Sequence, residues 1–285
     1  VDRRGGRIPN EQAEELLDVL RTIRVEGAEI FLRRIKEHRF AFVMRAAEGC
    51  PSLGDGLTET DPLVPGRPLL DVKATRPDST RAADIANRFL AEAKRLLEDR
   101  RPSNMITLRG FAKLPVLPQY AERFHLKAAC VAVNGMYRGV ARLAGMRVLD
   151  VDGAEIADEF STLEKYWKDY DFFYMHVKQT DTYGELGDFD AKVKVIEEVD
   201  RQFTRLTALN PDVIIIGGDH SSPAVLKSHS WHPVPLLLYG RYVREDGVAE
   251  FGERACARGS LGTIPAKEVM SIAMANAFRV AKYSP

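Results

Sequence analysis

Short apolar runs alternate with a longer helical stripe in the second half of the chain. Residues 171–177 and 212–216 are rich in aromatic or β-branched side chains and too short for helices, which is typical of strands. Between them, apolar residues recur with helical spacing at Phe189, Val193, Ile196, Val199, Phe203 and Leu206. Strand, helix and strand in this order predict a βαβ unit with both strands in one parallel sheet. The run 212–216 is expected at the centre of that sheet, buried on both faces.

The second of these runs ends at a pair of glycines, where the backbone can turn sharply. The turn delivers Asp219 and His220 side by side, and His229 follows nine residues later. Ligands of open α/β sheets bind beyond the carboxyl ends of the strands, and a carboxylate with imidazoles suits zinc, manganese or iron. The alternative is that Asp219 caps a helix beginning at residues 221–223, with both histidines hydrogen-bonded in a loop.

The first run also leads to an acidic residue, Asp181, through a loop expected to extend to residue 188. The βαβ crossover would put Asp181 and Asp219 at one edge of the sheet. Two acidic strand ends with nearby histidines favour a site for two metal ions, about 3.5–4 Å apart, as used in phosphoryl transfer. His176, inside the strand, is expected to be a hydrogen-bonded core residue, and Trp231 is expected to shield the metal loop from water.

The first part of the chain has its own alternation of elements. Its apolar spacing predicts a helix over residues 10–23, strands at 28–32 and 40–44, a helix from about 79 to 100 and a strand at 104–108. An arginine followed by glycine at a strand end, as at Arg109, is suited to anchoring a phosphate. Beyond Lys113 the pattern predicts strands at 127–133, 146–151 and 234–238, with helices at 140–143, 157–168 and 265–278.

Composition narrows the classes of partner. The 285 residues carry 41 basic and 41 acidic side chains, so no net field favours nucleic acid or an anionic membrane. No apolar run reaches the ~18 residues of a membrane span. Cys50, Cys130 and Cys256 are widely separated and lack CxxC spacing, a reduced pattern that indicates a cytoplasmic protein. Arginine is nonetheless plentiful, and locally clustered arginines are what a phosphorylated substrate needs.

Four segments of the chain share their residues with one family: HVKQTD at 176–181, GDHSSP at 218–223, HS at 229–230 and ARGSLG at 257–262. In this order and spacing they resemble the archaeal-type cofactor-independent phosphoglycerate mutases of the alkaline phosphatase superfamily. The resemblance implies an α/β fold with a mostly parallel sheet flanked by helices, incomplete at its amino end, and a smaller inserted α/β domain. Residues 1–112 would be the inserted, substrate-covering domain and residues 113–285 the carboxyl-terminal part of the metal-binding domain.

The resemblance also implies an activity, its metal ligands and a partner, which is a small phosphorylated acid. The family interconverts 3-phosphoglycerate and 2-phosphoglycerate, in glycolysis and gluconeogenesis, through a phosphoserine and two divalent ions such as Mn²⁺, Mg²⁺ or Zn²⁺. By position, Asp181 and His229 resemble ligands of one ion, and Asp219 and His220 ligands of the other. Glu185 stands where the family usually has a histidine, so a retained site with an altered metal preference is expected.

Five residues resemble substrate-binding positions of the family. They are Arg3 and Arg7 in the glycine-bearing loop near the start, Asp61 in a Thr-Asp-Pro loop, and Arg109 and Arg138. Guanidinium groups bind carboxylates and phosphates through two parallel hydrogen bonds, which explains why arginines recur in such a set. Without the resemblance, the loop near the start would be interpreted as a solvated basic segment.

Two elements of the family pattern do not occur in the sequence. No strand ending in Asp-Gly precedes residues 1–112, and there is no Gly-Ser-Asp triplet to supply the nucleophilic serine. The resemblance therefore implies that roughly the first third of the family's sequence is missing, and that this chain alone does not turn over. Two alternatives stay open: a metal-dependent phosphatase or phosphopentomutase of the same superfamily, and a truncated member that binds metal without catalysis.

Overall fold

The computed structural model describes residues 8–64 and 66–280. The chain divides into two compact units, Val1–Val116 and Leu117–Pro285. Among the described residues, no helix combines the length and apolar character that a membrane crossing requires.

The first unit is a helix, a β-hairpin and a long helix around an apolar core. Its elements are α1 (Asn10–Leu20), β1 (Ala28–Lys36), β2 (Arg39–Ala46) and α2 (Thr80–Leu97), with β1 and β2 antiparallel. The helices and both hairpin strands confirm the sequence prediction, the strands being longer than expected. Apolar residues of α2 recur every three or four positions, so one face is buried, and Ile85 and Phe89 are fully enclosed. Phe89 packs on Phe42 of the hairpin with ring centroids 4.9 Å apart.

The strand predicted at residues 104–108 is not formed. The segment has no regular secondary structure, and the hydrogen bonds of Leu108 run to a loop and not to a strand. The Leu108 N–H donates to the Thr60 hydroxyl (2.8 Å), and the Thr60 N–H donates to the Leu108 carbonyl (3.1 Å). A buried backbone needs hydrogen-bond partners, and here a side chain supplies one of them. The consequence is that Arg109 lies beside the loop that carries Asp61.

The second unit is built on a three-stranded parallel sheet flanked by helices. Its order is β4 (Arg147–Leu149), β3 (Ala128–Ala132), β5 (Phe172–His176), so β3 is central, and all five of its residues are buried. The other elements are α3 (Tyr120–Phe124), α4 (Gly135–Leu143), α5 (Ile156–Tyr166), α6 (Gln179–Leu186), α7 (Phe189–Ala208), β6 (Val213–Gly217), β7 (Leu236–Gly240), α8 (Glu253–Cys256) and α9 (Val269–Asn276). The prediction of an α/β fold with a parallel sheet is confirmed.

The placement of β6 corrects the sequence prediction. β6 forms an antiparallel pair with β7, and within the described part of the chain it shares no hydrogen-bond ladder with β5. Only Ile214 of this strand is buried, so β6 is not the centre of a parallel sheet. An apolar β-branched run predicts a strand, but it carries no information on which strand lies beside it.

Two further corrections concern the segments after β5 and β6. The expected loop after β5 is the helix α6, which places Asp181 in its first turn and ends at Gly187 (φ +75°). Residues 221–223 do not begin a helix. Ser221 instead forms an antiparallel bridge with Ser230, whose N–H donates to the Ser221 carbonyl at 2.9 Å.

Candidate metal centre

The bridge between Ser221 and Ser230 closes the loop that follows β6 and brings its two histidines together. The rings of His220 and His229 lie 3.9 Å apart at their centroids, inclined by 33°. Both rings face the first turn of α6, where Asp181 projects. Histidines nine positions apart in sequence therefore share one side of a loop because backbone hydrogen bonds fold it into a hairpin.

Asp181, His220 and His229 form the candidate site, with one ligand atom from each lying within 4.8 Å of the others. His229 Nε2 is 3.2 Å from Asp181 Oδ1, and His220 Nδ1 is 3.8 Å from the same oxygen. Two atoms bound at about 2.1 Å to one tetrahedral ion lie roughly 3.4 Å apart, so these separations suit a shared cation. The site joins one carboxylate oxygen and two imidazole nitrogens, the donor types of zinc, manganese and iron.

Asp181 is held as an anion although it is only 9% exposed. Burial raises the pKa of this carboxyl, but hydrogen bonds from Lys178 and Ser222 outweigh it, so the pKa is lowered overall. The Lys178 ammonium pairs with Oδ2, and the Ser222 hydroxyl donates to Oδ1 at 2.5 Å. A buried carboxylate that is already charged does not have to lose a proton before it binds a cation.

Ser222 is a site residue that the sequence analysis missed. Its hydroxyl lies 3.2 Å from His220 Nδ1 and contacts Asp181, so it links two members of the cluster. Its carbonyl accepts a hydrogen bond from Lys192 Nζ at 2.6 Å. At Gly184 of α6 an added Cβ would lie 2.2 Å from the Ser222 carbonyl, so glycine is required for this close approach. The available signal is its position two residues after His220, but the pattern there predicts the start of a helix.

Asp219 lies next to the cluster and not within it. Its Oδ2 accepts a hydrogen bond from the Tyr137 hydroxyl at 2.6 Å and lies 3.6 Å from His220 Nε2. Its Oδ1 accepts from the His220 N–H at 3.1 Å, so the aspartate caps no helix. Burial raises the pKa of Asp219, and the bond from Tyr137 together with His220 lowers it further than burial raises it. Asp219 and His220 therefore form a second oxygen–nitrogen pair beside the first.

Glu185 lies one helical turn after Asp181 in α6. Its Oε1 is 3.6 Å from His229 Nε2, and its side chain is about half exposed. The carboxylate faces the same imidazole as Asp181, at the solvent side of the cluster.

Two other expectations about this region are wrong. Trp231 is 84% exposed and stacks on His232, so it shields no metal loop. The Nδ1 atom of His176 is buried and has no hydrogen-bond partner among the described residues, and burial lowers the pKa of this histidine. Its ring instead stacks on Tyr137, with centroids 3.3 Å apart.

The expected substrate-binding residues fall in different places. Arg3 and Arg7 lie outside the described residues. Arg109 forms ion pairs with Asp61 and Glu59, both at 3.3 Å, and all three line a cavity of about 570 Å³ in the first unit. Arg39 lines the same cavity, so the cavity wall carries charges of both signs together with apolar side chains.

Arg138 lies in α4 of the second unit, and its guanidinium is engaged by the parallel sheet. Nη1 donates to the carbonyls of Ala132 (3.3 Å) and Leu149 (3.2 Å), the last residues of β3 and β4. Nη2 pairs with the exposed carboxylate of Asp150 at 2.7 Å. Arg138 therefore ties two adjacent strand ends together.

The family model described as the metalloenzyme superfamily matches residues 17–276. Two curated relatives, from Aquifex aeolicus (41% identical) and Thermosipho africanus (46%), are named probable 2,3-bisphosphoglycerate-independent phosphoglycerate mutases. Each alignment covers 99% of this chain and 70% of the relative.

Solved structures show the same similarity. A Pyrococcus horikoshii protein superposes with a TM-score of 0.81 at 25% identity, over 100% of this chain and 73% of its own. The cofactor-independent phosphoglycerate mutase of Thermoplasma acidophilum superposes with a TM-score of 0.67 at 30% identity, over 97% of this chain and 73% of its own.

Proposed function

The chain belongs to the 2,3-bisphosphoglycerate-independent phosphoglycerate mutases of the metalloenzyme superfamily, and from that premise we propose that it serves the interconversion of 3-phosphoglycerate and 2-phosphoglycerate. The reaction is an isomerisation in which a phosphoryl group changes its position on glycerate. The observation that carries the proposal is the convergence of Asp181, His220 and His229. The proposal places the reaction in glycolysis and gluconeogenesis, in the cytoplasm.

The donor set supports binding of two divalent ions. We assign Asp181 and His229 to one ion, with Glu185 as a further oxygen ligand, and Asp219 and His220 to the other. His220 would bind its ion through Nε2, which lies 3.6 Å from Asp219 Oδ2, while its Nδ1 faces Asp181 and Ser222. The residues fit a cation because Asp181 is anionic while buried and already accepts a bond from the Lys178 ammonium. The first ion would have two carboxylates and one imidazole as ligands. With a histidine at residue 185 it would have one carboxylate and two imidazoles. The additional hard oxygen favours Mn²⁺ or Mg²⁺ over Zn²⁺.

Bound divalent ions would supply electrostatic stabilisation of the transferring phosphoryl group and activation of the attacking oxygen. The chain's own part is to orient ligands. Ser222 holds the Asp181 carboxylate against His220, and Lys178 keeps it charged. The sequence contains no Gly-Ser-Asp triplet, so the proposal assigns the nucleophilic serine to none of its residues.

We assign binding of the phosphorylated acid to residues 1–112. The contacting residues would be Arg3, Arg7, Arg109 and Asp61. Arg109 and Asp61 support this because they face each other in a cavity of about 570 Å³, large enough for a three-carbon phosphorylated acid. Residues 113–285 would hold the metals. Arg138 would have to release the exposed Asp150 to reach a phosphoryl group.

Two measurements test the proposal. Calorimetric titration with Mn²⁺ on the metal-free chain should show saturable binding, and an absence of any bound divalent ion would contradict the metal assignment. An enolase-coupled assay with 3-phosphoglycerate should be run on the chain alone and on the chain joined to the part of the Aquifex aeolicus relative that it does not cover. Isomerisation by the joined protein supports the mutase, whereas release of inorganic phosphate or turnover of phosphopentoses supports the alternative enzymes.

A further inference from the structure

Tyr137 reaches Asp219 from a different element of the second unit, and its hydroxyl donates to Asp219 Oδ2 at 2.6 Å. We propose that Tyr137 is a positioning residue for Asp219, which fixes the carboxylate in the orientation that presents it, together with His220, to a divalent cation. The inference rests on the proposed function, since it adds a supporting residue to one of the two metal sites.

The backbone that carries Tyr137 is firmly held. α4 begins directly after the buried central strand β3, and the Asn134 side chain caps it by accepting from the Met136 N–H at 3.0 Å. Tyr137 is 7% exposed and belongs to the apolar cluster that includes Cys130 and Ala141. Its hydroxyl therefore projects from a capped helix that packs on the sheet, and not from a loop.

The ring of Tyr137 is restrained by His176. The two rings stack with centroids 3.3 Å apart and planes inclined by 22°. His176 is the last residue of β5 and pairs in register with Ala132, the last residue of β3. Because β3 and β5 are neighbours in the sheet, the element that carries Tyr137 and the ring that covers it meet at the same sheet edge.

The contacts of Asp219 show why it needs such a partner. Its side chain is about half exposed, and in residues 8–64 and 66–280 the other oxygen, Oδ1, accepts only from the N–H of the adjacent residue His220, at 3.1 Å. Tyr137 is thus the sole long-range side chain that hydrogen-bonds this carboxylate among the described residues. A phenol is protonated at neutral pH, so Tyr137 donates and Asp219 accepts.

The matched control is Tyr174, on β5. Burial raises the pKa of this second tyrosine to about 12, with a further contribution from the Asp219 charge, yet within residues 8–64 and 66–280 it forms no hydrogen bond with Asp219. Tyr137→Phe and Tyr174→Phe each delete one phenol hydroxyl from a tyrosine whose pKa the Asp219 charge raises. If only Tyr137→Phe lowers the Mn²⁺ affinity, the loss is due to the hydrogen bond to Asp219 and not to the removal of a tyrosine hydroxyl in general.

The test is calorimetric titration of the metal-free chain with Mn²⁺, supported by the electron paramagnetic resonance signal of free Mn²⁺. Groups that orient a metal ligand typically change affinity by about 10–100-fold when removed. The Mn²⁺ site that depends on Asp219 is identified as the one that Asp219→Asn abolishes. Tyr137→Phe should weaken the affinity of this site by about 10–100-fold, and Tyr174→Phe should change it less than twofold. Equal affinities for Tyr137→Phe and the wild-type chain would overturn the inference.

A double variant separates positioning from a structural role. In the Asp219→Asn background, Tyr137→Phe should leave the remaining Mn²⁺ binding unchanged, and a further loss would overturn the inference because Tyr137 would act through something else.

Should Tyr137→Phe fail to fold, His176→Leu removes the stacked ring and keeps the hydroxyl. Weaker binding of the same class is expected, and unchanged affinity would count against the inference. A wild-type chain that binds no Mn²⁺ removes the proposed function as well, whereas failure of the variants alone leaves it standing.

Discussion

Two buried carboxyl groups of the second unit behave in opposite ways. Asp181 is 9% exposed and Glu159, in α5, is 2% exposed. Asp181 accepts hydrogen bonds from an ammonium and a hydroxyl. Glu159 accepts one bond from the Val133 N–H at 3.2 Å, and its Oε2 has no hydrogen-bond partner in the described part of the chain. The pKa of Asp181 is consequently lowered, while burial raises the pKa of Glu159 to about 7.

The comparison shows that burial alone does not mark a functional carboxyl. Removing a carboxylate from water raises its pKa in both cases, and only nearby donors and positive charge reverse the shift. Asp181 stays charged and faces two imidazoles, whereas Glu159 is partly protonated at neutral pH and faces the end of β3. The first arrangement suits cation binding, and the second suits packing.

The largest expected effect comes from replacing each carboxyl by its amide. Asp181→Asn should weaken Mn²⁺ binding by more than the ~10–100-fold typical of groups that only orient a ligand, because it removes the anion shared by both histidines. Glu159→Gln is the matched control and should leave Mn²⁺ affinity unchanged. Calorimetry on the two metal-free variants measures this, and equal losses in both would show that the amide change disturbs the fold and not the site.

The free energy of unfolding of Glu159→Gln should differ from that of the wild-type chain in a pH-dependent way. The raised pKa means that the folded state binds a proton more tightly, so the wild-type chain loses stability as pH rises from about 4.5 to about 7. Glutamine does not titrate, so the variant should be more stable by roughly 3 kcal/mol at pH 8.5 and nearly equal at pH 4. Urea unfolding at the two pH values measures the difference, and a constant difference would contradict the assigned pKa.

Ser222→Ala sharpens the comparison by removing one of the donors that distinguish Asp181 from Glu159. Mn²⁺ affinity should fall by about 10–100-fold, since the hydroxyl orients the carboxylate and a buried acceptor loses its partner. Ser221→Ala is the control, because the Ser221 hydroxyl donates to the His232 carbonyl, at 3.2 Å, and to no member of the Asp181 cluster among the described residues. Similar affinities for the two variants would show that Ser222 has no special role.

The smallest effect is expected from Lys178→Met. The lowered pKa of Asp181 contributes stability above its unfolded pKa of about 4, and that stability is lost as pH falls through the folded pKa. Without Lys178 the Asp181 pKa rises, so the variant should lose about 1 kcal/mol at pH 7 and less at pH 3, a partly exposed ion pair being screened. Urea unfolding measures this, with the exposed Lys194→Met as control, and a loss that does not depend on pH would argue against the ion pair.

The sequence by itself determined most elements of both units. Periodic apolar residues predicted α1, α2, the hairpin and the strands of the parallel sheet, because helical and strand spacing record which face is buried. Motif order led to the family, and the expected proximity of Asp181, Asp219, His220 and His229 agrees with the geometry. Their roles as ligands stay predictions.

Only the tertiary structure decided which strands and which side chains lie next to one another. The antiparallel pairing of β6 with β7 and the bridge that brings His220 to His229 depend on backbone hydrogen bonds between separate segments, which no local pattern encodes. The helix α6 forms through local hydrogen bonds, and the loop expected there is wrong because few apolar residues mark a helical face. No local pattern encodes the hydrogen bonds from Ser222 to Asp181 and from Tyr137 to Asp219 either. Nor does it encode that Glu159 Oε2 has no hydrogen-bond partner among the described residues. Whether a carboxyl is charged depends on the donors around it in space, and those come from residues up to 82 positions away.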